Sequence, residues 1–201
     1  MAKKATLPPG ISLRAGAKVI MKPQDFARRG IHPEQVSRMV KRGDLVRVGR
    51  GRYVLPKAHY SENFGLALVA AAIPEAIVCM LSALRFHGIG TQAPHEVWIA
   101  VKKGATRPRL DYPPVRVAIF SDPAFSFGME RHVIDTTPVR IYSAAKTVAD
   151  CFKFRNKIGL DVALEALREG LRAKKFGREE LWKAAKICRV TTVIRPYLEA
   201  I

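Results

Sequence analysis

The stretch from Lys22 to Pro56, KPQDFARRGIHPEQVSRMVKRGDLVRVGRGRYVLP, restricts what this chain can fold into more than any other. Its punctuation predicts helix, turn, helix, hairpin. Pro23 suits a first helical turn, where its missing N–H leaves no bond unmade, and Gly30 suits the position just past a helix end. Pro33 opens a second helix in which Val36, Met39 and Val40 recur at the spacing of one buried face. The opposite side carries Glu34, Gln35, Ser37, Arg38, Lys41 and Arg42, groups that bond phosphates and base edges, and Gly43 closes the helix. Leu45–Val48 and Arg52–Leu55 are β-prone runs separated by Gly49-Arg50-Gly51, the pattern of a hairpin. Three guanidiniums, Arg47, Arg50 and Arg52, crowd its tip. Such a tip packs poorly in a core and fits a phosphate backbone or a minor groove.

Charge points the same way. The 201 residues hold 35 Lys+Arg against 17 Asp+Glu, a net of +18, with about half of all residues hydrophobic. Residues 1–57 carry 14 basic and 3 acidic side chains; residues 58–201 carry 21 and 14. The surplus is concentrated around the winged pattern, as expected of an electrostatic footprint for nucleic acid whose affinity falls with salt through counterion release. A membrane is the competing anionic partner. The chain has no apolar run of about 18 residues and no signal-peptide pattern, because Met1-Ala-Lys-Lys leads into Pro8-Pro9-Gly10. A cytoplasmic protein is expected. Cys79, Cys151 and Cys188 are odd in number, widely spaced and in apolar helical contexts, which predicts buried reduced thiols rather than a zinc or redox site.

Taken in order, the first ten residues read as a mobile basic tail and Ile11–Met21 as a short first helix. Pro56-Lys57 marks a boundary, giving a DNA-binding domain over 1–57 and a second domain over 58–201. In the latter, Ser61 is the expected N-cap of a helix through Ala72, stopped by Pro74. Ile77–Met80 reads equally as a buried strand or a helix start, and Ser82–His87 continues as helix to Gly88. Val97–Val101 and Val115–Phe120 are strand-like and joined by a polar, proline-bearing run; His132–Ile134 and Val139–Tyr142 are shorter candidates. Ser143 is expected to cap a helix over Ala144–Lys157. Leu160, Leu164, Leu167 and Leu171 make an apolar stripe in the next helix, Leu181, Ala184, Ala185 and Cys188 mark another, and Thr191 or Thr192 opens a last one. The fold class predicted is α+β: an N-terminal winged helix-turn-helix followed by a small sheet flanked by helices.

Residues 17–56 resemble the winged helix-turn-helix of antitoxins from AbiE-type abortive-infection toxin–antitoxin systems, carried by Lys22–Phe26, Leu45–Tyr53 and Pro56. The resemblance extends through Leu81–Gly88, Ala145–Phe152 and Ile158–Leu167. It implies an N-terminal domain that binds operator repeats upstream of its own operon. It also implies a C-terminal domain that opposes a toxin related to nucleotidyltransferases, without a stable complex. The candidate DNA contacts are then Lys22 and Gln24 on the first helix, Gln35, Ser37 and Arg38 nearest the bases, Lys41 and Arg42 at the backbone, and Arg47, Arg50 and Arg52 on the wing.

Catalytic motifs are missing from the sequence. A magnesium nuclease would need clustered carboxylates, and the Asp/Glu-x-Lys tripeptide of restriction-type enzymes does not occur. Neither do Gly-Ser, Gly-Lys, GxGxxG or HExxH, and His95-Glu96 lacks a second histidine. No catalytic residue, metal or cofactor is expected; His87 is read as packing at its helix end and Asp150 and Asp161 as hydrogen-bonding residues. Near the C-terminus, Arg168, Arg172, Lys174, Lys175 and Arg178 alternate with Glu165, Glu169, Glu179 and Glu180. The bland reading is a solvated face with i,i+4 pairs. The sharper one is a second nucleic-acid contact, on flanking DNA or on a tRNA that the toxin modifies. Two functions remain: an operator-binding antitoxin, or a winged-helix regulator whose second domain senses a ligand or partner and has no toxin.

Overall fold

The computed structural model describes residues 18–56 and 58–201. The expected basic tail lies outside them, as does most of the first helix expected over Ile11–Met21. The described end of that span is not helical: Met21 bridges Tyr53, with Met21 N–H to Tyr53 O at 2.9 Å and Tyr53 N–H to Met21 O at 3.0 Å.

The winged pattern is present. Helix α1 (Pro23–Ala27) and helix α2 (Pro33–Lys41) are followed by strands β1 (Val46–Gly49) and β2 (Arg52–Val54), paired antiparallel. Pro23 and Pro33 sit at the starts of their helices. The end of α2 is a Schellman turn: Gly43 N–H bonds Val40 O at 3.1 Å and Asp44 N–H bonds Met39 O at 2.9 Å. That turn needs a left-handed residue, and Gly43 supplies φ +78° without a Cβ clash. Met21, Phe26, Val36, Met39, Leu45 and Leu55 bury together beneath α2, and the Phe26 and Tyr53 rings meet edge to face at 5.5 Å.

Helices α3 (Phe64–Ala72) and α4 (Met80–His87) enclose a short strand β3 (Ile77–Val78), so the ambiguous Ile77–Met80 segment is strand first and helix start second. Strands β4 (Val97–Lys102), β5 (Val115–Phe120), β6 (Met129–Ile134) and β7 (Thr137–Tyr142) complete a mixed sheet of order β5-β4-β3-β7-β6. β6 and β7 begin earlier than the hydrophobic runs alone indicated, because their pairing extends through the polar residues from Met129–Tyr142 to Ile134–Thr137. Side chains alternate faces along each strand. Val78, Val97, Ile99, Val139 and Ile141 pack with Leu66 and Val69 of α3, whereas Ile77, Trp98, Ala100 and Tyr142 pack on the other side with Met80 and Phe120.

Beyond that second face lies a helical layer: α5 (Ala144–Lys153), α6 (Arg155–Ile158), α7 (Leu160–Arg172), α8 (Arg178–Cys188) and α9 (Thr191–Glu199). Three expectations change here. The helix expected through Lys157 breaks at Phe154, whose backbone leaves the helical region (φ −102°, ψ 17°) while its ring packs 5.3 Å from Phe120. Ser61 does not cap α3. It donates from Oγ to Asp135 Oδ2 (2.7 Å) and from its N–H to Asp135 Oδ1 (3.2 Å), and Asn63 occupies the N-cap position. The leucine stripe of α7 forms one side of its buried face: Leu167 is buried and Leu164 and Leu171 pack half-buried against the core, Leu160 is exposed, and Val162, Ala163, Ala166 and Gly170 supply the rest of the buried surface.

The winged unit and the sheet share apolar packing. Ile20 and Val54 belong to the same buried cluster as α3 and the sheet, with Val48 packed against it. Val19 N–H also donates to Thr136 Oγ1 (3.1 Å) in the β6–β7 turn. No helix among the described residues is long and apolar enough to cross a membrane.

Candidate nucleic-acid interface

With 100° per residue along α2, Glu34 points most directly away from the buried Val36–Met39–Val40 face, with Arg38 and Lys41 on either side of it. Ser37 flanks them on one side; Gln35 and Arg42 flank them on the other, beside Ile31 and Met39 in a shallow depression that Arg38 also lines. All six polar side chains are exposed. Their freedom differs, however. Gln35 Oε1 accepts the His32 backbone N–H at 2.8 Å, a capping bond that leaves the amide NH2 facing outward. A bidentate contact to adenine needs both ends of that amide. Arg42 is paired with Asp44, Nε to Oδ2 at 2.9 Å. Among the described residues, Arg38 and Lys41 have no ion-pair partner.

At the N-terminus of α1, Lys22 is half-buried and Gln24 exposed. Lys22 N–H donates to Asp25 Oδ2 (2.7 Å), and Asp25 also pairs with Lys18 at 2.8 Å. Burial pushes the Asp25 carboxyl up, but these hydrogen bonds and the charges of Lys18 and Arg28 hold it below its ordinary value. The start of α1 is thereby pinned to the segment before it.

On the wing, Arg47 and Arg50 are exposed and Arg52 is half-buried. Arg47 Nε donates weakly to Gly49 O at 3.4 Å. Burial holds the Arg52 guanidinium below its ordinary pKa, against the pull of the Asp111 carboxylate on the loop between β4 and β5. It stays charged, since a guanidinium does not lose its proton in a protein. The structure thus separates the three wing arginines: Arg47 and Arg50 face solvent, and Arg52 is half-buried with its guanidinium folded over Gly49. Gly51 (φ +65°) makes the tight turn that brings Arg50 to the tip.

Arg168, Arg172, Lys174, Lys175 and Arg178 are exposed as well. The expected ladder of i,i+4 pairs is not formed. Glu165 accepts from Thr91 Oγ1 (3.0 Å), Glu169 accepts the Gly90 N–H (2.7 Å), and Glu180 accepts the Gly177 N–H (2.8 Å). Only Arg172 keeps a carboxylate partner among these cations, Glu169 at 3.7 Å, and Arg178 donates to Leu198 O at 3.0 Å.

One buried cluster joins Asp150, expected to hydrogen-bond, to a lysine that no expectation singled out. Lys146 and Asp150, one turn apart on α5, are both fully buried and bonded at 2.5 Å and 2.6 Å. Cys188 Sγ donates to Asp150 Oδ1 (3.2 Å), and Lys146 Nζ lies 4.1 Å from the Tyr142 ring centre. Burial pushes the Asp150 carboxyl above its ordinary value, with Lys146 and Cys188 pulling against it. The three thiols are free and buried, and burial raises each of them, Cys188 to about 12. A Lys-x-x-x-Asp spacing in a helix ordinarily reads as a surface pair, so no local signal marks it. His87 packs as expected, Nε2–H donating to Tyr142 O at 2.7 Å. Among the described residues no group of three or more His, Cys, Asp or Glu could hold a metal ion.

Comparison with known proteins gives two findings. The fold resembles the crystal structure of the Rv2827c protein from Mycobacterium tuberculosis, with a TM-score of 0.60 at 14% sequence identity, covering 84% of this chain and 66% of that one. At that identity the likeness is one of fold, and the chain spans slightly less than two thirds of the other protein's length. No curated protein matches the chain in sequence. The resemblance read over residues 17–56 is borne out at the N-terminus: residues 13–56 match the family model described as "Transcriptional regulator, AbiEi antitoxin".

Proposed function

We propose that this chain is a DNA-binding antitoxin that represses its own toxin–antitoxin operon through residues 1–57 and counteracts a nucleotidyltransferase-like toxin through residues 58–201. The observation that carries this reading is the exposed, cationic outer face of α2, set beside a basic wing in a segment that matches a regulator family. A helix of this size fits a major groove, with Arg38 and Ser37 at the base edges, Gln35 beside them through its amide NH2, and Lys41 and Arg42 toward the backbone. Lys22, Gln24, Arg47 and Arg50 complete the phosphate contacts, and Arg52 adds its charge from behind. The protein works in the cytoplasm and needs no cofactor or metal.

The basic end of α7 is a second nucleic-acid contact in this reading, on flanking DNA or on a tRNA that the toxin modifies. Its support is that the neighbouring glutamates are bonded to Thr91, Gly90 and Gly177, which leaves most of the cations unneutralised. A gel-shift on the segment upstream of the protein's own reading frame, paired with growth rescue from the adjacent gene product, tests the proposal. A shift with rescue is expected. Binding no tighter than to random duplex, or a neighbouring frame unrelated to nucleotidyltransferases, overturns it.

One observation favours the second reading, a regulator that senses a ligand without a toxin. A cleft of about 470 Å³ opens between the winged unit and the sheet, lined by Lys22, Ile20, Ala71, Arg131, Thr137 and Arg140. Its mixed apolar and cationic walls suit a small anion. An operator affinity that shifts with such an anion, in a locus without a toxin gene, would decide for this alternative.

A further inference from the structure

We propose that the outer edge of β5 pairs antiparallel with the same edge of a second copy, joining two chains into a homodimer with one continuous sheet. This goes beyond the DNA-binding reading and does not depend on it.

β5 and β6 are the two outer strands of the sheet. An outer strand offers unpaired backbone groups, and chains that stay single blunt it with charge, proline, a bulge or a covering segment. β6 is blunted by charge: Glu130, Arg131 and His132 follow one another along it. β5 reads Val-Arg-Val-Ala-Ile-Phe, with one charge, no proline and an unbroken register against β4 from Val97–Val115 to Lys102–Phe120. That charge is already neutralised, since Arg116 pairs with Glu96 at 2.5 Å and lies over the Trp98 ring. The ends of the ladder show which way the backbone of β5 faces. Pro114 O accepts from Val97 N–H (2.8 Å) and Phe120 O from Lys103 N–H (2.7 Å), so the even-numbered residues bond β4. Every second residue of a strand turns its N–H and C=O the other way, which sends those of Val115, Val117 and Ile119 outward. None of these groups has a hydrogen-bond partner among the described residues. The same three side chains share one face of the strand as an apolar stripe, Val115 and Val117 half-buried and Ile119 43% exposed. The register names the occupant. About a two-fold axis at Val117, antiparallel copies oppose Val117 to Val117 and Val115 to Ile119, and each opposed pair exchanges both hydrogen bonds. A shifted axis leaves one of the three residues unpaired. On the other face Arg116 meets the small Ala118 of the second copy, so no like charges stand directly opposed. Two chains of net charge +18 repel each other, and a neutral edge is where they can meet.

Sedimentation velocity on the full chain without DNA, from about 1 to 100 μM, should show a monomer–dimer equilibrium. The paired strands are neutral and both chains cationic, so dimerisation should tighten between about 50 and 300 mM salt, opposite in sign to a DNA contact. I119K sets a charge against the second copy's strand and should weaken dimerisation about tenfold. V117P removes an outward N–H and no bond to β4, and should act in the same direction. V133K, at the most exposed residue of β6, should leave the equilibrium unaltered. V117C should form an interchain disulfide with oxidised glutathione, its Cα standing about 5.5 Å from its mate, whereas R116C should not. The three native thiols are buried and do not compete. Should V117P fail to fold by circular dichroism, I119K and V117C carry the test. A chain that stays monomeric throughout overturns the proposal and leaves the edge to a strand of another protein. So does a dimer that I119K leaves intact, or one that V133K dissolves instead. Cross-linking through R116C and not V117C means another register, and also overturns the pairing.

Discussion

Arg38, Lys146 and His87 show three different uses of a charged or titratable side chain, and each makes its own prediction. Arg38 is exposed, without an ion pair among the described residues, and opposite the buried face of α2. Arg38→Ala should therefore cost about 1–3 kcal/mol on the preferred site and relax discrimination at one base step. Equal weakening on operator and random duplexes would remove it from the base-reading set. Lys146 lies at the other extreme, fully buried against Asp150 and the Tyr142 ring. Removing one member leaves a buried charge alone, so Asp150→Ala should destabilise the fold by about 3–5 kcal/mol in urea titrations. Lys146→Met/Asp150→Leu removes both charges and should recover most of that loss; no difference between single and double variants would mean the pair is solvated. His87 is held below the ordinary histidine value of 6.5 chiefly by burial, with the Tyr142 carbonyl pulling the other way. A histidine depressed in the folded state contributes stability that is fully present above about 6.5 and is lost as pH falls toward its folded value. His87→Gln should flatten that acid limb of the stability–pH curve. Glu130, His132 and Lys175 carry the other charges that act on the ring, and an unchanged limb would remove His87 as its cause.

Elements were legible in the sequence where their own residues set the boundaries. Pro23, Pro33, Gly43 and Gly51 act through backbone geometry, which is local, and the winged segment followed from them. The β4 and β5 runs were equally readable, since β-branched residues bounded by Pro108, Pro113 and Pro114 admit little else. Packing between elements was not legible. In α7 the leucines drew attention, yet the buried residues include Ala163, Ala166 and Gly170, whose small size lets a neighbour approach closely. A Cβ added at Gly170 would stand 2.2 Å from the Phe176 ring. Gly170→Ala should thus cost about 1–3 kcal/mol from overpacking, despite the better helix propensity of alanine. The loss should shrink in a Phe176→Leu background. A stabilised Gly170→Ala variant would show that the ring moves aside freely. The candidate interface divides along the same line: the cations could be counted in the sequence, but the capping bond of Gln35, the Arg42–Asp44 pair and the burial of Arg52 are set by folding.

Across the whole molecule, the winged unit holds the groove-sized helix, and residues 58–201 hold the sheet and the helical layer. Repression can come from a DNA reader alone, whereas opposing a toxin without occupying its promoter calls for the remainder of the chain. We therefore expect residues 58–201, expressed from an unrelated promoter, to keep part of the neutralising activity and to lose operator binding. The shared core tempers the expected amount. Ile20 and Val54 pack in one cluster with Leu66, Val69 and Ile141, so cutting near residue 57 uncovers apolar surface on α3 and lowers the fragment's stability. Residues 1–57 lose the same contacts, and a chain of that size has little core of its own to offset them. A full-length R38A/R50A variant weakens operator binding while leaving the core intact, and so separates instability from function. Growth rescue with the toxin under separate control, alongside a gel-shift on the upstream segment, measures both properties. Rescue by R38A/R50A without a shift supports the division. Loss of rescue in that variant, at unchanged thermal stability, would mean that the antitoxin acts through its operator contact and that residues 58–201 serve the DNA-binding unit.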